Sequence, residues 1–232
     1  QKDNMLLIKH HFDIGKKDSV VTDSITYKIF YPRFRIEHVF KLQQQLANFF
    51  DNNVDSVRYK TYFNYTTRNA QAFQFKDSWN ILTNEFSLIT FPDKNNQSQF
   101  LKAGIGVQNI KGTLDTFNTV LLNNILVAGE YRNITKNQVW DVEAKGEFYL
   151  NGFNSGDYSA YISMKRLLGK KIGFLNLGFH NVNRSPSYIF NSLSTFPIAN
   201  RVGYNKENII RVFGVYENPS KNLTITGEYN VV

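Results

Sequence analysis

Val139–Leu150 reads Val-Trp-Asp-Val-Glu-Ala-Lys-Gly-Glu-Phe-Tyr-Leu. Alternate residues fall into two sets. Trp140, Val142, Ala144, Gly146, Phe148 and Leu150 make an apolar face, and Asp141, Glu143, Lys145, Glu147 and Tyr149 make a polar one. A period of two belongs to a strand, because successive side chains point to opposite faces. The length is as telling as the alternation. Trp140 and Phe148 stand eight residues apart, roughly 26 Å along a strand at about 3.3 Å per residue. A tilt of about 40° brings this to roughly 20 Å along a bilayer normal, close to the apolar band of a membrane barrel with its aromatic girdles. Strands of soluble sandwiches usually stop at about 5–6 residues.

The same pattern recurs on both sides of this stretch. Arg33–Leu42 sets Phe34, Ile36, Phe40 and Leu42 against Arg33, Arg35, Glu37 and Lys41. Phe100–Asn109, Tyr158–Arg166 and Leu223–Val231 alternate in the same way, and Met5–Asp13, Asn80–Phe91, Val120–Tyr131, Ile172–Asn181 and Asn208–Glu217 follow it less cleanly. About ten strands are expected. Pro92–Ser98, Arg132–Gln138, Leu168–Lys171 and Asn218–Asn222 are short connections, whereas Gln43–Ser78 and Asn183–Glu207 are long; Lys111–Asn118 and Asn151–Asp157 are intermediate. Threaded up and down, both long connections fall at one end, as in outer-membrane barrels. Lys41–Phe50 is expected to form a helical turn or two within the first long connection.

Composition narrows the class. No run reaches the roughly 18 apolar residues that a membrane helix needs. The mean hydropathy of −0.37 does not speak against a membrane barrel, since only every second residue of its strands meets lipid. With no cysteine, a disulfide scaffold and a zinc finger both lack ligands. The net charge of +8 is spread over Lys-rich turns such as Gly15–Lys17 and Gly169–Lys171, so no nucleic-acid footprint is expected. The N-terminus lacks the basic and apolar regions of a signal peptide. The fold expected is all-β: an antiparallel transmembrane barrel of about ten meandering strands. Residues 1–232 form one segment without an internal boundary. The abrupt ends suggest part of a larger wall and an excerpt of a longer chain.

Tyr31-Pro-Arg-Phe-Arg-Ile-Glu-His38, preceded by Phe12-Asp-Ile-Gly-Lys-Lys-Asp-Ser19 and Asp23-Ser24, resembles the Bacteroidetes "putative porin" family of outer-membrane barrels. Phe49-Phe-Asp-Asn52 with Tyr59 and Tyr62 is similar to that family's first long loop. The resemblance is closest over the first third. It implies the outer membrane of a gram-negative bacterium and a pore function, and supplies no catalytic residues.

No enzyme is expected. There is no nucleophile elbow, P-loop or H-E-x-x-H, and Gly104-Ile-Gly106 sits within a strand without a following helix. Asp141, Glu143 and Glu147 share a face but read as a solvated lumen with Lys145 as partner. Asn-x-Ser/Thr sequons at Asn64, Asn133 and Asn222 are expected by chance in so Asn-rich a chain. Pairing Met5–Asp13 with Arg33–Leu42 around Asp23–Ser24 brings His10 opposite His38 on the apolar face. Two imidazoles are a weak metal pair without a third ligand, and a contact with a partner protein, or a slipped register, is the stronger reading. No cofactor is expected. The pore-lining candidates are Arg33, Arg35, Glu37, Lys41, Lys102, Glu143, Lys145, Glu147, Lys165 and Glu228. The lipid-facing and girdle candidates are Phe34, Ile36, Phe40, Trp140, Phe148, Tyr158 and Tyr229. The partners expected are outer-membrane lipid and other outer-membrane proteins. Three functions compete: a diffusive pore with at most mild anion preference, a non-conducting outer-membrane scaffold, and a soluble all-β binding module.

Overall fold

In a computed structural model, the structure describes residues 2–22, 25–64, 66, 73–114, 118–188 and 205–232. Ten strands follow in order: β1 (Lys2–Thr22), β2 (Ile25–Asp51), β3 (Phe73–Thr90), β4 (Gln99–Leu114), β5 (Asn118–Ile134), β6 (Trp140–Gly152), β7 (Tyr158–Gly169), β8 (Gly173–Arg184), β9 (Glu207–Asn218) and β10 (Leu223–Val231). One antiparallel sheet holds them all, in chain order. The sheet is open: β1 and β10 are edges and do not pair with each other. No helix among the described residues is long and apolar enough to cross a membrane, which says nothing of strands.

The expected helix at Lys41–Phe50 is instead the second half of β2, paired with β3 from Lys41↔Thr83 to Phe50↔Gln74. Gln43, Gln44 and Gln45 favour a helix locally, but the cross-strand ladder overrides that preference. The helix of this connection, α1 (Ser56–Phe63), comes later. The Asp55 carboxylate caps it, accepting from the amides of Val57 and Arg58 at 3.0 and 3.1 Å. Asn64 ends it in the left-handed region at φ 49°.

The strand ends that flank the two long connections, Asp51 and Phe73 for the first and Arg184 and Glu207 for the second, do lie at one end of the sheet. Lys111–Asn118 is less of a loop than expected, because β4 runs to Leu114 and β5 begins at Asn118. Length at this end therefore comes partly from strands that project past the apolar band. The turn expected at Asp23–Ser24 lies outside the described residues. The register it serves is observed: Phe12 faces Ile36, His10 faces His38, and Ile8 faces Phe40. A bulge between Ile14 and Gly15 makes this possible by leaving Arg33 as an extra residue on β2. Glycine is required there, since a Cβ on Gly15 would stand 2.0 Å from the Tyr31 carbonyl oxygen.

The register also fixes the tilt. His38 is level with Phe86, Ile105, Val127, Phe148, Tyr158, Asn183 and Asn208, strand by strand. The apolar stretch of β2, Phe34–Leu42, is centred on His38. That of β10, Leu223–Val231, is centred on Gly227, which pairs with Gly214, six residues past Asn208 toward the short connections (214 − 208). Six residues over the eight strand spacings from β2 to β10 make about 2.5 Å of drift per 4.8 Å of sheet, a strand tilt of roughly 30°. A steady drift is what tilted strands crossing a flat bilayer demand.

Candidate functional site: the charged inner face

The two faces of the sheet differ as their sequences require. The outer face carries Phe34, Ile36, Ile105, Ile162, Ile225 and Tyr229, all exposed. Trp140, Phe148 and Tyr158 lie on it by register, and Phe40 is half-buried there. The guanidinium of Arg166 lies 4.7 Å from the Trp140 ring centroid. The inner face carries the acids and bases, and nearly all are paired.

Glu37 is the centre of the first group. It is buried, at 1% exposure, and takes an ion pair from Lys9 at 2.7 Å and another from Lys102 at 2.9 Å. Lys102 reaches on to Glu85 at 3.1 Å, and Ser87 donates to Glu85 at 2.9 Å. A buried carboxylate needs such partners to remain ionised. Arg35 grips Asp13 through Nε and Nη2 at 2.6 and 2.9 Å. In the second group Arg132 joins Asp141 and Glu143, and Lys145 contacts Glu143 and lies 3.8 Å from Glu130. The last candidates form separate pairs, Lys165 with Glu217 at 2.8 Å and Glu228 with Arg211 at 2.5 Å. Lys41 lies on the same face, level with Leu7 and Thr83. Glu147 has no ion pair among the described residues. Arg33, the bulge residue, donates to the Pro92 carbonyl at 3.2 Å and so braces the β3–β4 turn.

Three hollows run along this face. The first, of about 330 Å³, lies toward the short connections between Arg35, Glu37, Phe91, Phe100, Lys102 and Glu130. The second, of about 260 Å³, shares Lys102 and Glu130 with it and has a floor of Ala128, Gly129 and Gly146. The third, of about 240 Å³, shares Glu147 and Ser159 with the second and opens among Asn154, Asp157, Asn183 and Tyr188. The small floor residues make room, and the shared residues make the hollows neighbours in a row.

The far end is organised by residues that carry no sequence motif. Asn124, fully buried, donates to Gln108 at 2.7 Å and to Asn154 at 2.8 Å. Asp157 accepts from Asn154 at 3.0 Å and from the amide and hydroxyl of Ser185 at 3.0 and 2.9 Å, and pairs with Lys206 at 2.8 Å. Burial alone would raise its pKa, but Lys206, Ser185 and Asn154 together hold it below the usual carboxylate range. Tyr188 stacks on Trp79 at 4.9 Å and lies 6.0 Å from Phe153, and burial pushes its phenol up to about 12. Trp79 packs with Ile81, Ile110 and Leu114.

This contact requires a curled sheet. In a flat sheet β8 and β3 stand about 24 Å apart, with Arg184 and Trp79 about 20 Å offset along the strands, while the four residues from Arg184 to Tyr188 extend roughly 14 Å. Trp79 and Tyr188 meet because the inner face is concave. The sequence reading had no signal for them beyond their being aromatic.

A tilted, curled antiparallel sheet with an apolar outside and a charged concave inside defines the class of membrane β-barrel walls. The sequence profile of the family described as "Putative porin" matches residues 1–232, and the chain belongs to that family. No curated protein and no solved structure matches it.

Proposed function

We propose that this chain forms wall of an outer-membrane barrel through which small hydrophilic solutes diffuse. The row of three connected hollows on the charged inner face carries the reading. A wall that only held lipid apart would have no need to keep Glu37 and Lys102 ionised beside open space. Solvated, paired charges keep water in the lumen at little cost, since each pair satisfies its own desolvation. Family membership supports the outer-membrane location.

Because acids face bases along the row, the lumen discriminates weakly by charge. This is in keeping with the at most mild anion preference expected from the pore-lining candidates. Tyr188 folded against Trp79 favours one further feature, a lumen narrowed at the end of the long connections. Full-length protein reconstituted in planar bilayers should give discrete conductance steps in potassium chloride, with a reversal potential near zero in a salt gradient. Heat-modifiable, folded protein that gives no steps would leave the scaffold reading in its place.

A further inference from the structure

Each short connection from β3 onward carries a lysine: Lys94, Lys136, Lys170 with Lys171, and Lys221, all exposed. With its drift allowed for, the apolar band is centred near residue 87 on β3, 129 on β5, 162 on β7 and 213 on β9. Lys94, Lys136, Lys170 and Lys221 stand seven or eight residues past these centres (94 − 87, 136 − 129, 170 − 162, 221 − 213). Lys16 stands seven past the centre of β1, near residue 9 (16 − 9). At about 3.3 Å per residue and a tilt of roughly 30°, this is about 20 Å from the mid-plane. The hydrocarbon ends at about 15 Å, so the lysines are level with phospholipid headgroups.

Few acids share this depth. Asp93 pairs with Lys136 at 2.8 Å, and Asp18 of β1 is the other acid among the described residues of this rim. Lys170 and Lys171, flanked by paired strands on both sides, make no ion pair among the described residues. The opposite end is balanced: Arg184 pairs with Glu207 at 3.0 Å, and Lys206 with Asp157 at 2.8 Å. A cation of the outer face belongs to the same rim. Arg166 lies four residues past the centre of β7 (166 − 162), with its guanidinium over Trp140 and no carboxylate partner among the described residues. Its stem can lie along the apolar surface while its head reaches the interface, where an indole also sits. Lys136 and Lys170 flank this pair, in turns two strand spacings or about 10 Å apart.

We infer, resting on the membrane-wall reading but not on conduction, that this rim binds anionic phospholipid of the leaflet it faces, with Arg166, Lys136, Lys170 and Lys171 gathering headgroup phosphates around Trp140. A guanidinium and ammonium groups at phosphate depth suit a headgroup of net negative charge. The spread of the lysines singles out a lipid leaflet over an acidic protein. They run from β1 to the turn after β9, about 38 Å of sheet, and keep one depth along a tilted line. A folded partner covers a patch, whereas a leaflet meets every connection at the same height.

The test uses the full-length protein in vesicles of phosphatidylcholine with phosphatidylglycerol. A bimane fluorophore is attached through Leu168→Cys, an exposed position beside Arg166 on the outer face. Nitroxide-labelled phosphatidylglycerol should quench it as though enriched about fivefold over nitroxide-labelled phosphatidylcholine, the ratio set by about one lysine–phosphate contact per lipid. Salt at about 1 M should bring the ratio close to one by screening. Combining Arg166→Gln, Lys170→Gln and Lys171→Gln should do the same at low salt, in protein that keeps its heat-modifiable gel shift. Equal quenching by the two lipids at low salt would overturn the inference and leave the rim for an acidic protein. An enrichment indifferent to salt or to the three substitutions would overturn it as well. Quenching by neither lipid would take Leu168 off the lipid face, and the wall reading would fall with the inference.

Discussion

Glu37 and Asp157 show what single carboxylates do in this wall. Glu37 on β2 is held by Lys9 of β1 and Lys102 of β4, and Asp157 by Asn154 of its own connection together with Lys206 and the amide and hydroxyl of Ser185 from the segment after β8. Asp157 is the better place to look for linkage, because it sits in a connection. Its pKa is lower folded than unfolded, so its contribution to holding the segment is complete above the ordinary aspartate value, about 3.9, and is lost as pH falls through the lower folded value. The Ser185 amide donates directly to it and reports the state of this clasp. Hydrogen exchange should find that amide protected at neutral pH, with its protection factor falling below about pH 4. Asp157→Asn should lower the protection at neutral pH, because an amide takes the place of the anion that Lys206 and Ser185 bind. An amide equally protected in the variant would show that the segment is held by Tyr188 alone.

Among the elements, β3 and β4 depend on one small residue. A Cβ on Gly112 would stand 2.5 Å from the Trp79 ring, so Gly112→Val must displace the indole and with it the Tyr188 stack. Overpacking of this kind costs typically about 1–3 kcal/mol. Urea titration in vesicles, followed by tryptophan fluorescence, should give a lower midpoint. Tyr188→Ala should leave the midpoint close to wild type and raise single-channel conductance, and a conductance that does not change would place Tyr188 outside the solute path. This pair of aromatics also marks where sequence reading stopped. The alternation in Val139–Leu150 revealed β6, its apolar face and its acids, because each residue's face follows from its neighbours at i±2. The His10–His38 pairing was legible for the same reason, with the Gly15 bulge supplying the register. Trp79, Asn124, Asp157 and Tyr188 come together across strands that are not adjacent, through a curl that no local period encodes. The second half of β2 was misread as helical because its glutamines have their β partners more than 25 residues away, at Trp79–Ile81.

At the scale of the whole sheet, the drift of the apolar band is a stronger statement than the count of strands. Ten strands in one meander could belong to a soluble open sheet, whose apolar patches need follow no common line. Here the centres fall from His38 to Gly227 by six residues over eight spacings, and the intervening strands keep to that slope: the apolar face of β6 runs from Trp140 to Leu150 and that of β7 from Tyr158 to Leu168. Only a planar slab of lipid crossing tilted strands gives the line a reason. The edges of β1 and β10 would each expose unpaired backbone groups in such a slab, so a wall of this kind must have both edges paired, with each other or with further strands. The slope predicts the geometry of that complete wall. Polarised infrared spectra of the full-length protein in oriented bilayers should give a mean strand tilt of roughly 30° from the normal, just below the range of about 35–45° common in membrane barrels. Strands close to parallel with the normal would mean that the apolar residues do not mark the bilayer, and the assignment of inner and outer faces would fail with them.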